Sequence, residues 1–109
     1  MKKEEMYAFH AEFCKTFTNP KRIEILDLLR ECEMTVNAIQ KKIGETKAYT
    51  SVQLSVMRMK NIVKARRNGT NVYYSIADEK IAHACGAMQE VLAQLMMRTS
   101  AVRPARERR

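Results

Sequence analysis

The chain has 109 residues, room for one domain or one domain with a tail, and its 46% apolar share is ordinary for a soluble folded protein. With three Phe, four Tyr and no Trp, a single copy has little bulk for a thick core, so pairing with a second copy is an expected way to complete it. The formal charge of +8 favours a polyanion or an anionic surface as partner, while the lack of any apolar run near the ~20 residues of a bilayer span excludes a membrane helix.

Met6, Phe9, Phe13 and Phe17 recur at three- and four-residue steps. That spacing predicts a first helix over residues 3–17, with an apolar stripe that something must cover. No apolar stretch follows the basic residues of this N-terminus, so a secretory signal is not expected and the expected address is cytoplasmic. Asn19-Pro20 predicts the next helix start, because Asn caps well and Pro suits the first helical position, where no N–H is needed. This second helix should run to about Cys32 and bury Ile23, Ile25, Leu26, Leu28 and Leu29. Thr35 caps a short third helix with Val36, Ile39 and Ile43 inward, and Gly44 stops it. Thr46 caps a fourth helix running to Lys60, with Thr50, Leu54 and Met57 inward and Asn61 as a left-handed stop.

Asn68-Gly69 then separates two runs rich in β-formers, which predicts a hairpin closed by a type I′ turn with Arg67 paired to Thr70. Val63 and Ala65 would share one face with Val72, Tyr74 and Ile76, and Lys64, Arg66, Asn71 and Tyr73 the other. Asp78 caps a long last helix to about Arg98, with Ile81, Ala84, Cys85, Met88, Leu92 and Leu95 at helical spacing. Gly86 in its middle costs roughly 1 kcal/mol against Ala, which predicts close approach of another helix there. Residues 99–109 are basic and aperiodic, so they are expected to form a disordered tail behind a domain of residues 1–98.

Two helices joined by a short turn containing Gly, the second of them basic, form a helix-turn-helix pattern. With the hairpin and last helix, the expected fold class is mainly α with a β-hairpin wing: a winged helix-turn-helix in the order α-α-α-α-β-β-α. Charge points the same way. Residues 46–77 contain no Asp or Glu but hold Lys47, Arg58, Lys60, Lys64, Arg66 and Arg67, and all twelve acidic residues lie elsewhere. A one-sided field of this kind attracts a polyanion. The N-terminal half of the fourth helix is the part expected to enter a major groove, through Thr46, Lys47, Ala48, Tyr49, Ser51 and Gln53. Gln53 could both donate to and accept from an adenine edge. Arg66, Arg67 and Thr70, around the hairpin tip, suit phosphate oxygens or the minor groove.

These residues resemble the ArsR-type (arsenic-repressor-like, ArsR/SmtB) winged helix-turn-helix regulators over about residues 17–91. The most specific pieces are the Asn19-Pro20-x-Arg22-x-x-Ile25-Leu26 entry, Ser51-x-x-Leu54, and the wing Arg66-Arg67-x-Gly69-x-x-Val72-Tyr73-Tyr74. The resemblance implies a homodimeric repressor, paired through its first and last helices, on an imperfect palindrome in double-stranded DNA. It also implies release by a metal, a metalloid or an oxidant. The chain departs from the family at Gln53, where His is frequent, at Asn61, where Gly is frequent, and at Glu45, where an apolar residue is more common. A thiolate pair found in many members falls here on Thr35 and Asn37, and a second site built on carboxylate and imidazole finds Asp78 and His83 but no further His downstream.

Cys14, Cys32 and Cys85 are odd in number and without close spacing, which excludes a disulfide framework and a CxxC zinc knuckle. Cys14 and Cys85 are the sensing candidates. Were the first and last helices to meet at a dimer interface, a disulfide, persulfide or arsenite bridge between these thiols would change the angle between the two recognition helices. Plain packing is the alternative, because free Cys behaves as a small hydrophobe. His10 and Cys14 share a helix face and could join His83 or Cys85 in a soft metal site, although His83 and Cys85 point to nearly opposite sides of their helix. No cofactor is expected beyond such a thiophilic metal(loid) ion. No catalytic Ser/His/Asp order, phosphate loop or carboxylate pair stands out, so an enzyme is not expected. The competing readings are a repressor without inducer and a winged-helix module that docks on another protein through the fourth helix.

Overall fold

Among the described residues, side-chain caps start four of the five helices, and left-handed residues follow two of them. The computed structural model describes residues 1–102, with side chains as far as Thr99. Helix α1 spans Lys3–Cys14 and tightens into a 3₁₀ turn over Lys15–Thr18, so the expected first helix is real but changes pitch before Phe17. Helix α2 spans Pro20–Glu31, and the Asn19 side chain accepts from the backbone N–H groups of Lys21 and Arg22. Helix α3 spans Val36–Ile43, where the Thr35 hydroxyl accepts from the Ala38 N–H and Gly44 closes the helix at φ +68°. Helix α4 spans Lys47–Met59, with Thr46 accepting from the Tyr49 N–H, and Asn61 follows in the left-handed region at φ +61°. Each cap satisfies an end group that the helix itself cannot.

Helix α5 spans Glu79–Val102, and the Asp78 carboxylate accepts from the Lys80 N–H at 2.8 Å. It passes the expected end at Arg98 and takes in the first part of the expected tail. The remainder of that tail, residues 103–109, lies outside the described residues.

The sheet has three strands where two were expected. Strand β1 (Met34–Thr35), β2 (Val63–Asn68) and β3 (Asn71–Ile76) pair antiparallel in the order β1-β3-β2. The hairpin register also differs from the expected one: Asn68 pairs with Asn71 and Arg67 with Val72. The turn is therefore Gly69-Thr70, and Gly69 alone takes a positive φ, +66°, which is the type II′ pattern rather than I′. The two registers differ by an even step, so every strand residue keeps its expected face.

The core lies where α2, α3 and α4 meet the start of β2. Ile25, Leu26, Leu29, Ile39, Ile43, Leu54, Met57, Ile62 and Val63 are buried there, with Phe13, Phe17, Met34, Tyr74, Ile81 and Cys85 packed around them. Ile23, expected inside, sits instead at the rim of a groove between α1 and α5. Gly86 lets a side chain, not a helix backbone, come close: a β-carbon there would lie 2.6 Å from Nη2 of Arg30. Arg30 in turn pairs with Asp27 on α2 and donates to Gln89 on α5, tying these two helices together.

Large apolar side chains remain uncovered on α1 (Met6, Tyr7, Phe9) and α5 (Met88, Val91, Leu92, Leu95). The radius of gyration is 16.8 Å, against ~13 Å for a compact chain of this length. The chain is therefore extended for its length, and the open apolar side chains lie on the two helices at its ends, α1 and α5. Among the described residues, no helix is long and apolar enough to cross a membrane.

Candidate nucleic-acid interface

The first turn of α4 stands clear of the core. Thr46, Lys47 and Ala48 are exposed, Tyr49 and Ser51 are half-buried, and Val52 is exposed beside them. Thr50, Leu54 and Met57 anchor the opposite face, and the Thr50 hydroxyl donates back to the Thr46 carbonyl at 2.8 Å. The N–H groups and positive dipole end of this helix therefore face outward together with Lys47, an arrangement that favours an anion.

Gln53 is not on that surface. It is 7% exposed, and its Oε1 accepts from Nε of Arg22 at 2.7 Å. Its expected place on the outer face of the helix is corrected: position 53 follows Thr50 by three and precedes Met57 by four, so it shares the inward stripe. Lys21, beside Arg22, acts on the other helix of the motif. Its Nζ donates to the carbonyl of Ile43, the last residue of α3, at 2.6 Å, and it pairs with Glu45 in the turn at 3.8 Å. The first turn of α2 thus brackets the helix-turn-helix from behind, gripping α3 through Lys21 and α4 through Arg22. Neither role was visible in the sequence. The only local signal was two cations in a helix N-terminal turn, where the dipole disfavours them and a specific partner is therefore implied.

The wing carries its cations unevenly. Arg67 and Thr70 are exposed at the tip, as expected, and Lys64 is exposed further down. Arg66 is occupied. Its Nε donates to Oε2 of Glu33 at 2.9 Å and its Nη2 donates to Oε1, a two-pronged pair, while its guanidinium carbon lies 4.9 Å over the Tyr73 ring. The hydrogen bonds from Arg66 hold the Glu33 carboxyl below the usual carboxylate range, with the charges of Arg66 and Lys64 acting in the same direction. The stretch without acids in sequence therefore receives one from outside it, because Glu33 immediately precedes β1, and β1 lies against β3.

Cys14 and Cys85 line the same groove between α1 and α5, about 600 Å³ in volume, together with His10, Phe13, Phe17 and Met88. Burial pushes the Cys85 thiol above its usual range; Arg30 pulls it the other way and Asp27 adds to the rise. Cys14 is exposed. His83 faces the other side of α5, in a polar groove with Asp27, Arg30, Glu31 and Glu90, so one chain does not bring it to His10 and Cys14. Among the described residues no three His, Cys, Asp or Glu side chains gather to hold a metal ion. The positions of the family's thiolate site, Thr35 and Asn37, offer no soft donor, and Thr35 is engaged as a helix cap.

Four capped helices, a bracketed helix pair and a hairpin beside it define a winged helix-turn-helix, and the comparisons with known proteins place it further. Residues 19–65 match the profile of the bacterial regulatory proteins of the arsR family. The HTH-type transcriptional regulator Rv0081 of Mycobacterium tuberculosis is 38% identical over 88% of this chain and 85% of its own length. The homodimeric winged helix-turn-helix DNA-binding domain from Mycobacterium bovis superposes with a TM-score of 0.80 at 33% identity, covering 86% of this chain and 87% of that one. The transcriptional repressor BigR of Xylella fastidiosa superposes with a TM-score of 0.69 at 30% identity, covering 84% and 96%. The chain belongs to the arsR family of bacterial transcriptional regulators and is not an enzyme.

Proposed function

We propose that the chain is a cytoplasmic, homodimeric repressor that binds a palindromic operator in double-stranded DNA. The observation that carries this is the outward first turn of α4, with Thr46, Lys47, Ala48, Tyr49 and Ser51 on a rigid base and Arg67 and Thr70 on the adjoining wing. The open apolar faces of α1 and α5 are the surfaces for the second copy, as the homodimeric relative from Mycobacterium bovis suggests. A two-fold pair of α4 helices addresses half-sites about one DNA turn, or a multiple of it, apart. Anisotropy titrations on the DNA upstream of its own gene, at several salt concentrations, test the reading. Affinity should fall steeply with salt, and Arg67→Gln, which removes one contact from each protomer, should flatten the log–log slope by about 1.8. A flat slope for the unaltered protein, or no preference for a palindromic duplex, would reject it.

Cys14 and Cys85 in one groove favour a second step, release from DNA by thiol oxidation. Two thiols would pass two electrons and two protons to a two-electron oxidant such as a peroxide, leaving a disulfide that pins α1 to α5. The exposed Cys14 meets the oxidant first, because Cys85 is half-buried and burial raises its thiol above the usual range. Oxidised protein should lose the operator, and a Cys14→Ser/Cys85→Ser variant should hold it under the same treatment. Equal binding by all forms would leave the cysteines as packing, and arsenite in place of the oxidant separates a thiophilic metalloid from a redox signal.

A further inference from the structure

We infer that Glu33 is an internal competitor for phosphate: it occupies the Arg66 guanidinium and so sets the wing's grip on DNA below what its cations would allow. The inference rests on the DNA-binding reading above and goes beyond it, because it assigns opposite roles to two adjacent arginines of the wing. Three contacts fix Arg66. Two are the parallel hydrogen bonds to the two carboxylate oxygens of Glu33, and the third is the Tyr73 ring beneath the guanidinium. A fork of two N–H groups on one carboxylate is the geometry with which Arg also holds a phosphate, so the two anions compete for the same donors. Arg66 and Tyr73 face each other across β2 and β3, and Glu33 reaches them from beyond β3, so the contact is made by the fold and not by sequence neighbours.

The other cations of the region are differently placed. Among the described residues, no carboxylate pairs with Lys47, Lys64 or Arg67. These remain available to phosphates, whereas the Arg66–Glu33 pair presents no net charge to the DNA. Neutralised pairs release no counterion, so Arg66 should not contribute to the salt dependence of binding. Sequence position alone would count Arg66 and Arg67 as equals.

The test compares salt slopes for the full chain and its variants on one operator duplex and one unrelated duplex. Glu33→Gln keeps the side-chain size and removes the charge. It should tighten binding several-fold on both duplexes and steepen the slope by about 1.8, the equivalent of one added phosphate contact from each protomer of the dimer. The Arg66→Gln/Glu33→Gln double variant, as neutral at this place as the native pair, should keep the slope of the unaltered protein. Neither side chain belongs to the buried core, and circular dichroism melts check that each variant is folded. Unchanged or weaker binding by Glu33→Gln overturns the inference, as does a slope that drops in the double variant, since Arg66 would then be reaching phosphate already. Arg67→Gln separates the two levels: if the unaltered protein shows no salt-dependent binding, both readings fall. If Arg67→Gln flattens the slope and Glu33→Gln does nothing, only the competitor role falls.

Discussion

Leu92→Arg should give a folded monomer with operator affinity reduced by about 10²- to 10⁴-fold, the range lost when two linked binding events become one. Leu92 lies on the open face of α5, 48% exposed in the single chain, one turn beyond Met88 and just short of Leu95. It lines the groove that also holds Phe13 and Phe17 from α1 and the turn after it. Covering one Leu is worth about 1.5–3 kcal/mol, and in a two-fold interface every substitution occurs twice. A guanidinium there also has no carboxylate partner on the surrounding apolar face, which adds a desolvation cost. The nine-residue core from Ile25 to Val63 does not include Leu92, so secondary structure and a cooperative melt should survive. Sedimentation equilibrium gives the assembly state, and anisotropy gives the affinity. A variant that stays dimeric and binds with unaltered affinity would place the interface elsewhere.

Features decided within a few residues were legible in the sequence. Asn19, Thr35, Thr46 and Asp78 cap as their side-chain chemistry dictates, and Gly44 and Asn61 take the left-handed conformation. Strand faces survived an error in the turn, because alternation has a period of two and the register differed by an even step. What escaped depends on partners distant in the chain. Strand β1 is two residues long and exists only because β3 lies beside it. Glu33 and Arg66 are 33 residues apart, and Arg22 and Gln53 are 31 apart. No local periodicity encodes such pairs. Charge counting along the chain missed the acid beside Arg66, because a stretch free of acids in sequence is not free of them in space. Gln53 was misplaced for a related reason. A polar residue on an otherwise basic helix reads as surface until its inward position is checked against Thr50 and Met57.

Arg22→Ala should cost about 1–3 kcal/mol of stability, the range for stranding a buried polar group. The Gln53 amide oxygen is buried, its bond to Arg22 is 2.7 Å long, and nothing near it among the described residues replaces that donor. Gln53→Met is the milder change, since it removes the polar group and fills the same space, leaving Arg22, half-exposed, to find water. A double-mutant cycle by denaturant unfolding isolates the pair: Arg22→Ala should be nearly neutral once Gln53 is Met. Additive costs would mean that the hydrogen bond contributes nothing and that Arg22 acts through its packing alone. DNA binding supplies the complementary readout. Arg22 grips α4 from the inside, so Arg22→Ala and Gln53→Met should weaken all duplexes by a similar factor as the outward turn of α4 loses its support. A change of base preference at one position would instead return Gln53 to the DNA surface and require α4 to rotate on binding. Lys21 gives the matching control on the other helix: its hold on the Ile43 carbonyl fixes the end of α3, so Lys21→Met should loosen the turn while leaving the Arg22–Gln53 coupling intact.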